Sequence, residues 1–336
     1  MIWRTLPLLV TLISCAHRGE VTNRAHCVGA SDINITTNDG ANLALHHHQG
    51  TGEPVLVVHG ISSNHVCWDL TAETSLATYL SGAGFDPWLL DLRGHGNSGK
   101  PEHTPIDLYG EEDVAAALQF IRDETGAERV HFVGHSMAGN VVMTYLASVS
   151  PDESLIDRMV LAGTPLDFSD AEPLLYNGLH AGSFTANLFG QIPTPLVARF
   201  HRLIPDSLPI DIFFFNDISN PAEMYENVVS PVNPAELSQF ADATSGRFYR
   251  WDSDTIVTDQ MRSITTPTLV VAGRADRIAP VDRVYTTYSA LGSEEKEFLI
   301  LGVSTGFSVD YGHLDLTTGD HTYSELYPII EEWLSR

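Results

Sequence analysis

Short, wholly apolar runs alternate along the chain with longer amphipathic stretches. Residues 54–58, 130–133, 159–162, 268–272 and 297–301 are dominated by Val, Leu and Ile, with little polar alternation. Runs of that length and composition predict strands buried on both faces. Residues 106–125 carry acidic and apolar faces at helical spacing. Upstream, 32–36 and 41–48 predict a hairpin around Asn38-Asp39-Gly40, because such a dipeptide adopts the tight turn that a hairpin needs. Strand–helix alternation predicts an α/β fold with a mostly parallel central sheet flanked by helices. The rhythm stops after Leu161. From Thr164 to about Ser263 the chain is rich in aromatics and prolines and shows no such alternation. That predicts a helical cap inserted at 165–263 between core segments 31–164 and 264–336, closing with a helix over 322–334.

Chemistry-bearing residues gather where predicted strands end. The run Arg129-Val130-His131-Phe132-Val133-Gly134-His135-Ser136-Met137-Ala138-Gly139 passes from strand to helix at Ser136. A turn that sharp admits only small neighbours, and Gly134, Ala138 and Gly139 meet that requirement. It lifts the hydroxyl over the sheet edge, next to the amides that open a helix. A serine needs a base, an orienting acid and donors for a developing oxyanion. Asp276 follows the 268–272 strand in a loop stiffened by Pro280. His313 follows the 297–301 strand, within Tyr311-Gly312-His313-Leu314-Asp315. The amides of Ile61, after His59-Gly60, and of Met137 are the expected oxyanion donors.

These residues carry a family resemblance. His59-Gly60, Asp91-Leu92-Arg93-Gly94-His95-Gly96-Asn97-Ser98, the turn from Gly134 to Gly139, and Gly273 to Pro280 with Gly312-His313 together resemble a serine hydrolase of the α/β-hydrolase fold. The likeness runs from about Asp32 onward and leans to its lipase and esterase side. It implies a catalytic triad in the order Ser136, Asp276, His313, acting on a small-molecule or lipid ester without metal or organic cofactor. Ala138 stands where that family most often has glycine. Haloalkane dehalogenases and epoxide hydrolases are similar in fold but place a carboxylate at the turn, and polyester synthases a cysteine. Acyl transfer, or thioester or amide cleavage, would use the same triad. From a different class, a non-catalytic lipid-binding surface lipoprotein on this fold is the alternative.

Other residues of the same types read as structural. His95 precedes Ser136 and is expected to fix its own loop, and His135 to pack. His46-His47-His48 alternate faces on a strand, so they do not converge on one ion. Asp167 is the rival to Asp276 as triad acid. Asp315 is expected to orient the His313 loop or to cap the last helix.

Charge narrows the partners. Lys and Arg total 18 against 43 Asp and Glu, a formal charge of -25 over 336 residues. Such a surface repels nucleic acid and anionic lipid. Residues 1–14 combine Arg4 with a short apolar core, the pattern of an export signal. Leu12-Ile13-Ser14-Cys15 resembles a lipobox, which implies lipidation at Cys15, a membrane tether and a polar linker over 15–30. Secretion or periplasmic residence is the alternative. In an oxidising space Cys27 and Cys67 would be free or would form one disulfide.

Overall fold

The computed structural model describes residues 30–99, 104–169, 171–190, 192, 194–195, 215–251 and 253–336. The predicted signal and linker, with Cys15 and Cys27, lie outside the described residues. Among the described residues no helix is long and apolar enough to cross a membrane. Cys67 is buried and has no disulfide partner among the described residues, and burial pushes its thiol pKa up to about 12.

Eight strands form one sheet: β1 (Ala30–Thr36), β2 (Asn42–His48), β3 (Pro54–Val58), β4 (Asp86–Asp91), β5 (Val130–His135), β6 (Ile156–Ala162), β7 (Thr268–Gly273) and β8 (Lys296–Leu301). Their order is β1-β2-β4-β3-β5-β6-β7-β8. β2 pairs antiparallel with β1 and β4, and every other pairing is parallel. The hairpin thus becomes an antiparallel edge on a parallel sheet. The helices used below are α1 (Leu76–Gly82), α2 (Ala115–Thr125), α3 (Met137–Ser148), α4 (Pro173–Phe189), α5 (Pro221–Asn227), α6 (Pro234–Ala243), α7 (Val281–Ala290) and α8 (Tyr327–Leu334).

The strand period divides the core. Leu56 and Val58 of β3 face a cluster with residues of α2, α3 and α7. Val55 and Val57 face the other, with Leu76 and Leu80 of α1 and Ile330 and Trp333 of α8. Both faces of β3 are covered, so its sequence is an unbroken apolar run rather than an alternation. Between β6 and β7 the named elements are helical, α4 to α6 among them.

Two predicted helices are less regular than their patterns imply. The 106–125 stretch contains a π-helical segment at Tyr109–Val114. It lies where Gly110 presses on α3, since a Cβ there would come 2.1 Å from Thr144 Oγ1. The last helix breaks near Leu326 and restarts as α8. Pro328 sits in the first turn of α8, where its missing N–H is not needed.

The three histidines of β2 diverge, and each meets its own carboxylate. His47 Nε2 donates to Asp86 at 2.7 Å and its ring stacks on Trp88. His48 Nε2 lies 2.9 Å from Asp69. His46 bridges two acids: Nδ1 is 2.8 Å from Asp32 and Nε2 is 3.1 Å from the buried Asp91. Asp91 also accepts the backbone N–H of His65 at 2.8 Å and that of Asn97 at 2.9 Å. His65 Nδ1 is 3.0 Å from the same carboxylate. His46, His65 and Asp91 thus bring three possible metal ligands within 4.8 Å of one another. The two rings, however, stack with centroids 3.6 Å apart and planes 21° apart. Stacked rings hold their in-plane nitrogen lone pairs in two separate, nearly parallel layers, which do not meet at a ligand distance of about 2 Å. The arrangement fits an imidazolium shared between carboxylates better than an ion.

Burial by itself would strip the His46 proton, but the hydrogen bonds and charges of Asp32 and Asp91 more than offset this and raise its pKa to about 9. An unfolded histidine titrates near 6.5. The charged ring therefore stabilises the fold fully below pH 6.5, and this contribution is lost as pH rises through about 9. It is worth on the order of 2 kcal/mol, with solvent around the half-exposed Asp32 screening part of the gain. The melting temperature is expected to fall across this window, and His46→Gln is expected to lower it at pH 6 while flattening the slope. A His46→Gln protein that keeps the wild-type slope in calorimetric scans would rule out this source.

Candidate active site

The turn from β5 to α3 is as sharp as its sequence implies. Ser136 has φ 54° and ψ -118°, a conformation that costs a residue with a Cβ about 1–3 kcal/mol. The strain is held on both sides. Ser136 N–H donates to Ala162 O at 2.8 Å, and Thr164 Oγ1 donates to Ser136 O at 3.0 Å. Gly134 has no room for a Cβ, which would lie 2.6 Å from the Phe132 ring and 2.9 Å from Ala138 Cβ. A Cβ on Gly139 would lie 2.2 Å from Thr164 Oγ1. Ala138 is therefore accommodated because Gly134 faces it.

His313 lies across this turn. Its Nε2 is 2.9 Å from Ser136 Oγ, and its Nδ1 is 2.7 Å from Asp276 Oδ2. Asp276 is fixed in turn, because its other oxygen accepts Ile278 N–H at 2.9 Å and Ala279 N–H at 2.8 Å. With that acceptor at Nδ1, the neutral imidazole carries its proton there and presents a bare Nε2 to the serine. Exposures of 7% for Ser136 and 5% each for His313 and Asp276 shelter the line from bulk water, which strengthens each of these contacts.

Met137 follows Ser136 directly, and the Gly60–Ile61 turn packs against it. Met137 opens α3, so its amide has no intrahelical acceptor. Ile61 follows Gly60, where an added Cβ would come 3.1 Å from Ser136 Cβ. The neighbouring His59 sets the direction of the Gly60–Ile61 peptide. Leu92 N–H donates to His59 Nε2 at 3.1 Å, so the ring proton sits on Nδ1 and is donated to Gly60 O at 2.8 Å. A trans peptide points its N–H opposite to its carbonyl. Anchoring Gly60 O on His59 therefore turns Ile61 N–H the other way. Burial, reinforced by the nearby His95 charge, lowers the His59 pKa to about 3 and keeps the ring neutral. The sequence signalled this residue only as half of a His-Gly pair and left its role unassigned.

The remaining candidates lie elsewhere. Asp167 accepts Ser169 N–H at 2.9 Å and lies 3.5 Å from Arg283, so Asp276 alone of the two rivals reaches His313. His95 lies 3.6 Å from the buried Glu236. His135 turns its Nε2–H onto the carbonyl of His313 at 2.9 Å. Burial, then the charge of His313, holds the His135 pKa well below its ordinary value. His135 thus remains uncharged beside His313.

A sequence-family profile described as "alpha/beta hydrolase fold" matches residues 53–207. A poly(3-hydroxyalkanoate) polymerase subunit of Haloferax mediterranei is 20% identical, over 99% of this chain and 70% of its own length. A non-heme haloperoxidase of Rhodococcus erythropolis is 24% identical, over 81% of this chain and 92% of its own. Among solved structures, an esterase of Exiguobacterium antarcticum superposes with a TM-score of 0.67 at 18% identity, covering 91% of this chain and 100% of its own. The sheet order, the strained turn at Ser136 and these matches together show that this chain has the α/β-hydrolase fold.

Proposed function

We propose that the chain hydrolyses carboxylic esters in two steps, with Ser136 as nucleophile. The observation that carries this reading is the hydrogen-bonded line from Asp276 through His313 to Ser136 Oγ. Nε2 of His313 takes the Ser136 proton as Oγ attacks the ester carbonyl. The negative charge that forms on the carbonyl oxygen is held by the amides of Ile61 and Met137. Asp276 orients the imidazolium and offsets its charge. Collapse of the adduct breaks the bond to the alcohol, which leaves with the proton from Nε2. Water then attacks the acyl-enzyme, giving its proton to His313. Acid is released and Ser136 recovers its hydrogen.

The 165–263 segment serves in this reading as a cap that sets substrate choice. Its support is a set of bonds to the loop after β3: Ser62 Oγ to Ser230 O at 3.0 Å, and Asn64 Nδ2 to Asn227 O at 3.0 Å. A second reading, transfer of the acyl group to an acceptor other than water, is favoured by the polymerase subunit's similarity across 99% of the chain. Adding an alcohol as acceptor during ester turnover separates the two by product.

Ser136→Ala is expected to lower kcat on p-nitrophenyl esters by on the order of a million-fold and to abolish labelling by a fluorophosphonate. Wild-type-like turnover in that variant would falsify the mechanism. For the oxyanion loop, His59→Asn retains a donor close to the Nδ1 position, whereas His59→Gln does not. The Gln variant is expected to lose about 10- to 100-fold in kcat, and the Asn variant less, with KM little changed in both. Equal kcat in both variants and the wild type would remove His59 from the account of the oxyanion donors.

A further inference from the structure

Asp315 has no part in the steps above, yet it is wholly buried and ties two distant segments together. Its Oδ2 accepts Gly312 N–H at 2.6 Å and Asn216 N–H at 2.7 Å. Its Oδ1 accepts Asp217 N–H at 3.0 Å. The first bond spans Gly312 to Asp315 and closes a ring of chain with His313 inside it. The other two reach residues about a hundred positions earlier, at the return of the 165–263 segment toward α5. Contact there is close enough that a Cβ on Gly312 would lie 3.0 Å from Phe215 Cα.

Ser136 is secured from the end of β6 and Asp276 by its own loop, whereas the His313 loop is held from several segments. Its carbonyl is held by His135, and the carbonyl of Tyr311 accepts Ala275 N–H at 2.9 Å. The backbone amide immediately before His313 is held by Asp315. A carboxylate accepting three N–H groups forms charge-assisted bonds, each stronger than a neutral one. Two of the three donors belong to the 215–217 segment, so this segment shares the anchor of the His313 loop. The segment has further ties of its own. Asp217 accepts His321 N–H at 3.0 Å, and its Oδ1 lies 2.8 Å from His321 Nδ1. Asp320 N–H donates to Asp217 O at 2.8 Å.

We propose that Asp315 is a positioning residue for His313, and that it makes the placement of this base depend on the seating of residues 215–217. The proposal rests on the reading of His313 as the base for Ser136. Its consequence is that a substrate or ligand displacing the 215–217 segment would also move the imidazole. Contact with the cap segment and readiness of the nucleophile would thereby be joined in one carboxylate.

Asp315→Asn preserves shape and one acceptor oxygen while removing the charge and the second acceptor. It is expected to lower kcat by about tenfold or more, since a misplacement near 1 Å can cost a hundredfold, with KM near wild type and a lowered melting temperature, because the amide NH2 faces a backbone N–H donor. Asp315→Ala should lose more. His321→Ala, a largely exposed change that touches neither Asp315 nor His313, should give a smaller loss of kcat by loosening the 215–217 segment. A readout independent of turnover is the hydrogen-bonded Nδ1 proton of His313 in the NMR spectrum, assigned by its loss in His313→Gln. It should shift or broaden in all three variants. Folded Asp315→Asn protein with wild-type kcat and an unmoved His313 resonance would overturn the positioning role. A His321→Ala enzyme identical to wild type in both readouts would overturn the link to the 215–217 segment. If the wild type itself neither turns over esters nor labels with a fluorophosphonate, the proposed reaction fails. The His313 resonance still reports whether Asp315 positions the ring.

Discussion

The fold places one imidazole between two groups that meet only at the ends of strands. His313 must keep Nδ1 on a carboxylate after β7 and Nε2 on a hydroxyl after β5, although its own loop follows β8. Hydrogen bonds of 2.7 and 2.9 Å leave little room for play. The surroundings of the ring are accordingly over-determined. Gly163 lies against it, where a Cβ would come 3.4 Å from the ring. His135 holds its carbonyl. The strain at Ser136 belongs to the same geometry. A positive φ brings the hydroxyl up to the imidazole, and the Ala162 and Thr164 bonds to the serine backbone hold it in that shape.

Charge is organised in the same manner. The chain carries more than twice as many acidic as basic residues, and several histidines take the place of the missing lysines and arginines as partners. His46, His47 and His48 each face a different carboxylate on β1, on β4 or in the loop before α1. The His46–Asp91–His65 group also ties the antiparallel edge to the loop that carries Ile61. A network remote from Ser136 therefore reaches the loop that carries Ile61. Arg93 plays the cationic counterpart nearby, buried between Asp39 and Asp113. Burial dominates at Asp113 and raises its pKa to about 6 even with this partner.

Much of the architecture and of the candidate site was legible in the residues. Five apolar runs appear as parallel strands, and the four interior ones are buried because a strand covered on both faces has no polar side to show, whereas β8 is a half-buried edge. Ser136, Asp276 and His313 were readable because each lies in the stretch that follows such a run, and parallel strands bring their carboxyl ends to one edge. The irregular parts were not legible in the same way. The π-helical segment at Tyr109–Val114 answers to contact with α3, and a helical pattern of faces carries no record of its neighbour. By sequence Asp276 is the expected acid and Asp167 its rival, since each follows a predicted strand. Only the course of the loops after β6 and β7 puts one on Arg283 and the other on His313.

The sequence by itself determined which side chains could take part, since apolar periodicity sets strand and helix and the glycines around Ser136 admit the turn. It also determined that three consecutive histidines on a strand diverge, because successive side chains leave opposite faces. Tertiary structure alone decided what each polar group meets. Asp91 joins His46 and His65, His59 orients the Gly60 peptide, and Asp315 draws residues 215–217 onto the His313 loop. Asp91 lies 45 residues from His46, and Asp315 lies 99 from Asn216. Their meeting is set by how packed elements align the loops between them, a distance that local pattern does not encode.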